Sequence, residues 1–162
     1  MKTIEYRTCD KTDWGEGPWL TEPDKVQWQD PATGLPCLIV RNTEVTGALC
    51  GYVGVPEGHP FFQKGYDDVP VEVHGGLTFA AFCRDTEFAD RGICHMVEPG
   101  EPDHVWWLGF DCSHAGDRSP RIDRLLRSLG SDRTWADYET YKDLAYVKAE
   151  VTALAQQLAA RA

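Results

Sequence analysis

Two segments of the chain contain the residue types that bind metals or transfer protons. Residues 106–117, WWLGFDCSHAGD, place Asp111, His114 and Asp117 three positions apart. His74 precedes a Gly-Gly pair in the segment VEVHGGLTFA. Carboxylate oxygen and imidazole nitrogen are ligands that zinc and manganese accept, and three protein ligands leave a position for water. These four residues therefore predict a divalent metal site, occupied by zinc or manganese.

The same residues allow other chemistry. With a metal, His74, Asp111 and His114 would be the catalytic residues of a hydrolysis. Without one, a histidine would act as general base, Asp111 would orient it, and Cys112 would be the nucleophile. Against this second hypothesis, adjacent residues of an extended chain point to opposite faces, so Cys112 would face the core if Asp111 faces solvent. A third interpretation is that the histidines make ordinary hydrogen bonds at strand ends.

A local concentration of arginine follows the first segment. Five of the sixteen basic residues lie within sixteen positions: Arg118, Arg121, Arg124, Arg127 and Arg133. Guanidinium groups bind phosphate and carboxylate well, so Arg118 and Arg121 are predicted to bind an anionic ligand beside His114. The alternative is a solvated helix face whose arginines pair with neighbouring aspartates.

The overall composition limits the classes of binding partner that the protein is expected to have. The formal net charge is −10, which disfavours non-specific nucleic-acid binding and binding to anionic membranes. The first ten residues lack the apolar core of a signal peptide, and no run approaches the ~18 apolar residues of a membrane helix. We therefore expect a cytoplasmic protein whose six cysteines are reduced and mostly serve as small core residues. Its expected partners are a small anionic ligand or a host protein.

The hydrophobic pattern predicts one α+β domain over residues 1–162. An antiparallel sheet of about five strands packs on a long C-terminal helix. The expected strand segments are 2–8, 37–41, 47–55, 71–73, 77–82 and 104–110. Residues 10–36 hold three tryptophans and four prolines, which predicts an ordered N-terminal strap without regular structure.

Two helices are predicted in the C-terminal third. The first spans 119–130, with Ser119 as N-cap, Gly130 as stop and an apolar face of Ile122, Leu125, Leu126 and Leu129. The second spans 134–160 and begins near Thr134. Its apolar stripe consists of Leu144, Val147, Val151, Leu154 and Leu158. This stripe would pack on the sheet of the same domain or form the seam of a dimer.

Several segments together resemble a known group of sequences. They are GLPCLIVRN (34–42), GYVGVPEGHP (51–60), VHGGLTF (73–79), WWLGFDCSHAGD (106–117) and YKDLAYVKAEV (141–151). They resemble uncharacterised proteins encoded by bacteriophages and prophages. The resemblance implies a phage accessory protein acting in the bacterial cytoplasm, and it carries over no catalytic residue.

Two functions are consistent with these expectations. The first is metal-assisted hydrolysis of a phosphorylated or nucleotide-like compound. The alternative is a non-enzymatic acidic binder that sequesters a nucleotide signal or inhibits a host defence protein.

Overall fold

The computed structural model describes residues 2–83, 90–131 and 138–162. Within these residues one antiparallel sheet of six strands forms the centre, in the order β1-β2-β3-β4-β6-β5. The strands are β1 (Ile4–Tyr6), β2 (Lys25–Gln29), β3 (Pro36–Arg41), β4 (Leu49–Pro56), β5 (Phe79–Phe82) and β6 (Val105–Asp111). Two α-helices follow them, α1 (Pro120–Ser128) and α2 (Leu144–Ala159). The predicted α+β fold, an antiparallel sheet with a C-terminal helix, is confirmed.

Helix α2 packs on the sheet through the stripe that the sequence predicts. Val147, Val151, Leu154 and Leu158 are fully buried in one cluster with residues of β2, β3, β4 and β6. Burying each such side chain contributes roughly 1.5–3 kcal/mol. Gly51 of β4 makes the close approach possible, since a Cβ there would overlap Val151 and Phe110. The stripe therefore belongs to the domain's own core, and the dimer-seam alternative is wrong.

The start of α2 differs from the prediction. Thr134 lies outside the described residues, and residues 138–143 are not helical. The helix begins at Leu144 because Asp143 caps it: the Asp143 carboxylate accepts a hydrogen bond from the Tyr146 backbone N–H at 2.8 Å.

Helix α1 forms where it is predicted, but its predicted apolar face is wrong in part. Leu125 and Leu129 are 51% and 73% exposed, whereas Asp123 is buried. Asp123 turns inward because its carboxylate accepts a hydrogen bond from Arg118 Nε at 2.9 Å. Ser119 occupies the N-cap position without a side-chain hydrogen bond.

The N-terminal strap is not a continuous loop, because it contains strand β2. Trp14, Trp19 and Trp28 are buried, as the sequence predicts. Lys25 and Gln27 are also buried, and they bind the backbone of a distant segment: Lys25 Nζ donates to the carbonyls of residues 92 and 94, and the Gln27 amide pairs with residue 96. Strand β2 was not predicted because these buried side chains are polar, and no local sequence pattern indicates that they are buried.

The segment before β5 also departs from the prediction. Residues 71–73 form no strand; Val71 and Val73 pack against the core from a turn instead. The turn closes through a hydrogen bond from Gly76 N to Val73 O at 3.0 Å, and Gly75 and Gly76 both have positive φ. The last four residues of the predicted segment 77–82 become a strand, β5.

The cysteines divide into two groups. Four are free thiols: Cys37, Cys50 and Cys112 are buried, as expected of small core residues, and Cys9 is partly exposed. Cys83 and Cys94 instead form a disulfide, so the expectation of six reduced thiols is wrong for this pair. Among the described residues, no helix combines the length and apolarity needed to span a membrane.

Candidate metal site

The structure brings together three of the four predicted ligands. His74 lies in the turn between β4 and β5, and His114 and Asp117 lie in the loop after β6. One donor atom from each residue lies within 4.8 Å of the other two. The centroids of the two imidazole rings are 5.5 Å apart. The convergence of the two sequence segments is thus present in the fold.

Asp117 is the centre of this group. Its Oδ2 accepts hydrogen bonds from His74 Nε2 at 2.7 Å and from the His114 backbone N–H at 3.0 Å. The side chain is 3% exposed. Backbone pairing fixes its position, because Arg118 N donates to Thr140 O and Thr140 N donates to Gly116 O, both at 2.9 Å. The carboxylate is therefore held before any ligand arrives.

His114 offers a nitrogen without a competing partner. Its Nδ1 lies 3.7 Å from Asp117 Oδ2 and 3.9 Å from Asp111 Oδ1. This atom is buried and has no hydrogen-bond partner among the described residues. The ring packs over Gly75, where a Cβ would overlap the imidazole. A buried ring nitrogen without a hydrogen bond costs free energy, which coordination of a metal ion would recover.

His74 is held on two sides by other residues. Its Nδ1 lies 3.0 Å from the Tyr146 hydroxyl, and its backbone N–H donates to Glu150 Oε2 at 2.8 Å. Tyr146 and Glu150 are both in α2, so the C-terminal helix positions this ligand. The pKa of Tyr146 is raised by partial burial and by the nearby Glu150 carboxylate, so the phenol keeps its proton at neutral pH. The sequence search missed both residues because neither belongs to a recognisable motif.

Asp111 stays outside the group of converging donors. Its Oδ2 accepts a hydrogen bond from Thr78 Oγ1 at 3.0 Å, and its Oδ1 accepts one from the Ser113 backbone N–H at 2.9 Å. Asp111 is therefore not one of the converging ligands, although the sequence predicted it. Asp111 is a neighbour of His114, and His74, His114 and Asp117 are the donors that converge.

The two predicted anion-binding arginines have partners within the protein. Arg118 donates to Asp123 and lies 5.4 Å from the Trp19 ring centroid. Arg121 donates to the Thr43 carbonyl and lies 5.9 Å from the Trp14 ring centroid. Their binding of an external anion stays a prediction.

The cation beside the group is one that sequence analysis missed. Lys142 Nζ lies 3.7 Å from Asp117 Oδ1. The lysine stands one position before the N-cap of α2, Asp143, and no spacing in the sequence links it to the histidines.

Cys112 does not serve as a nucleophile in this structure. The residue is 1% exposed. Burial raises the pKa of its thiol strongly, and the nearby Cys50, Asp117 and Asp111 add to the effect. A thiol that stays protonated and inaccessible cannot attack a substrate, so the thiol-nucleophile hypothesis is wrong.

The donor set fits a transition metal better than a hard cation. Two imidazoles and one carboxylate match the composition of catalytic zinc sites. Ligand atoms of a tetrahedral zinc lie roughly 3.3 Å apart, as bond lengths of about 2.0–2.1 Å require. The three donors here lie within 4.8 Å of one another, so zinc would require them to move closer together and would replace the hydrogen bond between His74 Nε2 and Asp117.

Comparisons with known proteins give little beyond this geometry. No family model matches the chain, and no solved structure matches it. A stretch of 117 residues is 30% identical to a glutamate–tRNA ligase of Burkholderia thailandensis. The match covers 72% of this chain and 22% of the ligase, so the chain resembles about a fifth of that enzyme.

Proposed function

We propose that the protein binds a divalent transition metal, zinc or manganese, through His74, His114 and Asp117, and hydrolyses a phosphorylated or nucleotide-like compound. The observation that carries the proposal is the convergence of three donor atoms from two distant segments within 4.8 Å. The buried Nδ1 of His114 supports it, because this atom makes no hydrogen bond with the described residues and lies near the carboxylates of Asp117 and Asp111.

Three protein ligands leave a coordination position for water, and a bound metal would lower the pKa of that water towards neutrality. The chain's own residues then have separate roles. Asp111, with Oδ1 3.9 Å from His114 Nδ1, is the carboxylate next to the site and would accept the water's proton. Lys142, beside Asp117, would contact an anionic substrate.

The biological setting belongs to the same proposal. The resemblance to bacteriophage and prophage proteins supports an accessory protein that acts in the cytoplasm of a bacterial host. A small phosphorylated compound or nucleotide signal of the host would then be the substrate.

Metal titration tests the proposal directly. We expect wild-type protein, purified without chelator, to bind one zinc or manganese ion in calorimetry, and His74→Ala and His114→Ala to lose that binding. His104→Ala is the matched control, because His104 is an exposed imidazole that stacks on Phe82 away from the three donors. Equal metal binding by all four proteins would exclude this site.

A second candidate is the non-enzymatic acidic binder, favoured by the net charge of −10. It predicts that binding to a host protein or nucleotide persists in His74→Ala and weakens as salt is raised. Loss of that binding in His74→Ala, with an unchanged free energy of unfolding, would favour the metal site over the acidic binder.

A further inference from the structure

A chain of hydrogen bonds joins the buried carboxylate of the site to an exposed tyrosine. Asp117 Oδ2 lies 2.7 Å from His74 Nε2, and His74 Nδ1 lies 3.0 Å from the Tyr146 hydroxyl. Both ring nitrogens of His74 are therefore occupied. The Tyr146 ring stands perpendicular to the imidazole at a centroid distance of 5.6 Å.

The partners fix where the protons lie in the metal-free protein. An ionised carboxylate only accepts hydrogen bonds, so the ring proton of a neutral His74 lies on Nε2 and points at Asp117. Nδ1 then has a free lone pair, and the Tyr146 hydroxyl donates to it. In this arrangement the nitrogen that faces Asp117 and His114 is protonated and cannot bind a metal.

Metal binding at Nε2 requires the opposite arrangement. A metal ligand needs its lone pair, so the ring proton must be on Nδ1 once Nε2 coordinates the ion. The Nδ1–H then donates to the Tyr146 oxygen, and the direction of that hydrogen bond reverses. A hydroxyl serves both states because it donates and accepts, whereas a carboxylate or a carbonyl at the same place would serve only the second.

Helix α2 holds the tyrosine and the histidine in register. Glu150 and Gln157 lie four and eleven positions after Tyr146 in α2, so all three side chains share one face of the helix. Glu150 accepts the His74 backbone N–H, and the Gln157 amide makes two hydrogen bonds, both 2.8 Å, with the backbone of Glu72. This polar row attaches the turn that carries His74 to the same helix that supplies the hydroxyl.

We infer that Tyr146 is a positioning residue that lets His74 exchange its Nε2 proton for a metal ion, by supporting both tautomers of the imidazole. The inference rests on the proposed metal function. It adds to that function a residue that regulates the affinity of the site without touching the ion.

The test combines metal affinity with nitrogen NMR on the full chain. We expect Tyr146→Phe to weaken zinc binding roughly tenfold, the lower end of the effect of removing such a supporting partner. The loss falls mainly on the metal-bound state, because the Nδ1–H of an imidazole bound to a cation is a stronger hydrogen-bond donor than the metal-free Nδ1 is an acceptor. In wild-type protein, the His74 ¹⁵N resonances should show a proton on Nε2 without metal and on Nδ1 with zinc. In Tyr146→Phe, the metal-free Nδ1 resonance should lose the shift caused by hydrogen bonding. Tyr66→Phe, a change in another exposed tyrosine, is the control for loss of a hydroxyl.

The outcomes separate the inference from the proposed function. Unchanged zinc affinity in Tyr146→Phe, or a metal-free His74 with its proton on Nδ1, would overturn the role of Tyr146 while the metal site stands. If wild-type protein binds no metal, the proposed function and this inference both fail, whatever the NMR of the metal-free protein shows. Equal weakening in Tyr66→Phe would assign the effect to stability and also overturn the role.

Discussion

At the scale of single residues, the candidate site depends on a glycine as much as on its ligands. Gly75 has φ of +68°, and its missing side chain leaves the space that the His114 imidazole fills. Gly76 has φ of +83°, and a Cβ added there would meet no heavy atom of the described residues within 4 Å. Only the backbone conformation therefore restricts substitution at Gly76. The two neighbours separate backbone strain from the packing of a metal ligand.

Gly76→Ala should lower the free energy of unfolding by about 1–2 kcal/mol, the cost of a left-handed conformation for alanine, and Gly75→Ala by at least as much, because its methyl group also overlaps the His114 ring. Gly75→Ala should in addition abolish zinc binding, because the new methyl group displaces the His114 ring. Urea unfolding measures the first effect and zinc titration the second. Retained zinc binding in Gly75→Ala would mean that His114 is not held over Gly75 as a ligand.

Lys142 allows a test of charge at the same site. Its ammonium lies 3.7 Å from Asp117 Oδ1 and would compete with the proposed metal for that carboxylate. Lys142→Met should raise zinc affinity by about fivefold, equivalent to about 1 kcal/mol for a partly exposed pair. It should also weaken the binding of inorganic phosphate to the zinc-loaded protein. Lys148→Met, in α2 beside Trp28, should change neither quantity. Weaker zinc binding in Lys142→Met would contradict this arrangement.

At the scale of elements, the disulfide anchors a segment whose backbone binds side chains of β2. Cys83 and Cys94 are eleven positions apart, and Cys94 O accepts a hydrogen bond from the buried Lys25. In the chain-entropy account, closing a loop of this length stabilises the fold by about 3 kcal/mol. Replacing both cysteines by serine should therefore lower the free energy of unfolding by about that amount.

Urea unfolding with and without reductant measures the contribution of the disulfide. Wild-type protein in reductant should unfold at nearly the same urea concentration as the double-serine variant. Cys9→Ser, which changes a free thiol, should unfold like the wild type under both conditions. A wild-type midpoint that does not respond to reductant would show that the pair does not stabilise the fold.

An element could be predicted from the sequence when its own residue pattern determines which side chains are buried, and not when burial depends on contacts distant in the chain. The stripe of α2 was predictable because a run of apolar residues at helical spacing must be buried, and the domain's own sheet buries it. Strand β2 was not, because Lys25 and Gln27 point inward to backbone groups 67–69 positions away. No local pattern reveals a partner at that separation.

The candidate site shows the same division. The residue types and the spacing of His114 and Asp117 indicated a polar cluster, and His74 was correctly placed near them. The strand predicted over 71–73 does not form, so His74 does not follow a strand; Tyr146 and Glu150 of α2 hold its turn in place. Asp111 has the right chemistry, but Thr78 and Ser113 occupy its carboxylate oxygens.

At the scale of the whole molecule, an acidic protein buries several of its cations. Arg41 is 3% exposed and binds Glu22 and Asp24, and Lys11 binds Asp24 at 2.5 Å. The Arg41 pairs join the N-terminal strap to β3, and the Lys11 pair lies within the strap. Removing one partner of such a pair leaves a buried charge uncompensated. Lys25 is buried as well, and it donates hydrogen bonds to two backbone carbonyls, which carry no full charge.

Lys25 should make the stability of the fold depend on alkaline pH. Burial lowers the pKa of its ammonium to about 8 from the ordinary 10.5, and the Asp90 carboxylate offsets part of that effect. Between these values the unfolded chain holds the proton and the folded chain has released it. Unfolding then takes up a proton, so raising the pH opposes unfolding and stabilises the folded protein. Below pH 8 both states are protonated and this dependence disappears.

The measurement is the difference in free energy of unfolding between wild type and Lys25→Met, taken at several pH values. This difference should shift in favour of the wild type by up to about 1.4 kcal/mol for each pH unit between 8 and 10.5. Subtracting the variant removes the titration of tyrosines and cysteines, which both proteins share. Lys148→Met, at an exposed lysine, should give a difference that does not change with pH. Parallel curves for wild type and Lys25→Met would mean that Lys25 keeps its proton in the fold, with the ammonium stabilised by the carbonyls of residues 92 and 94.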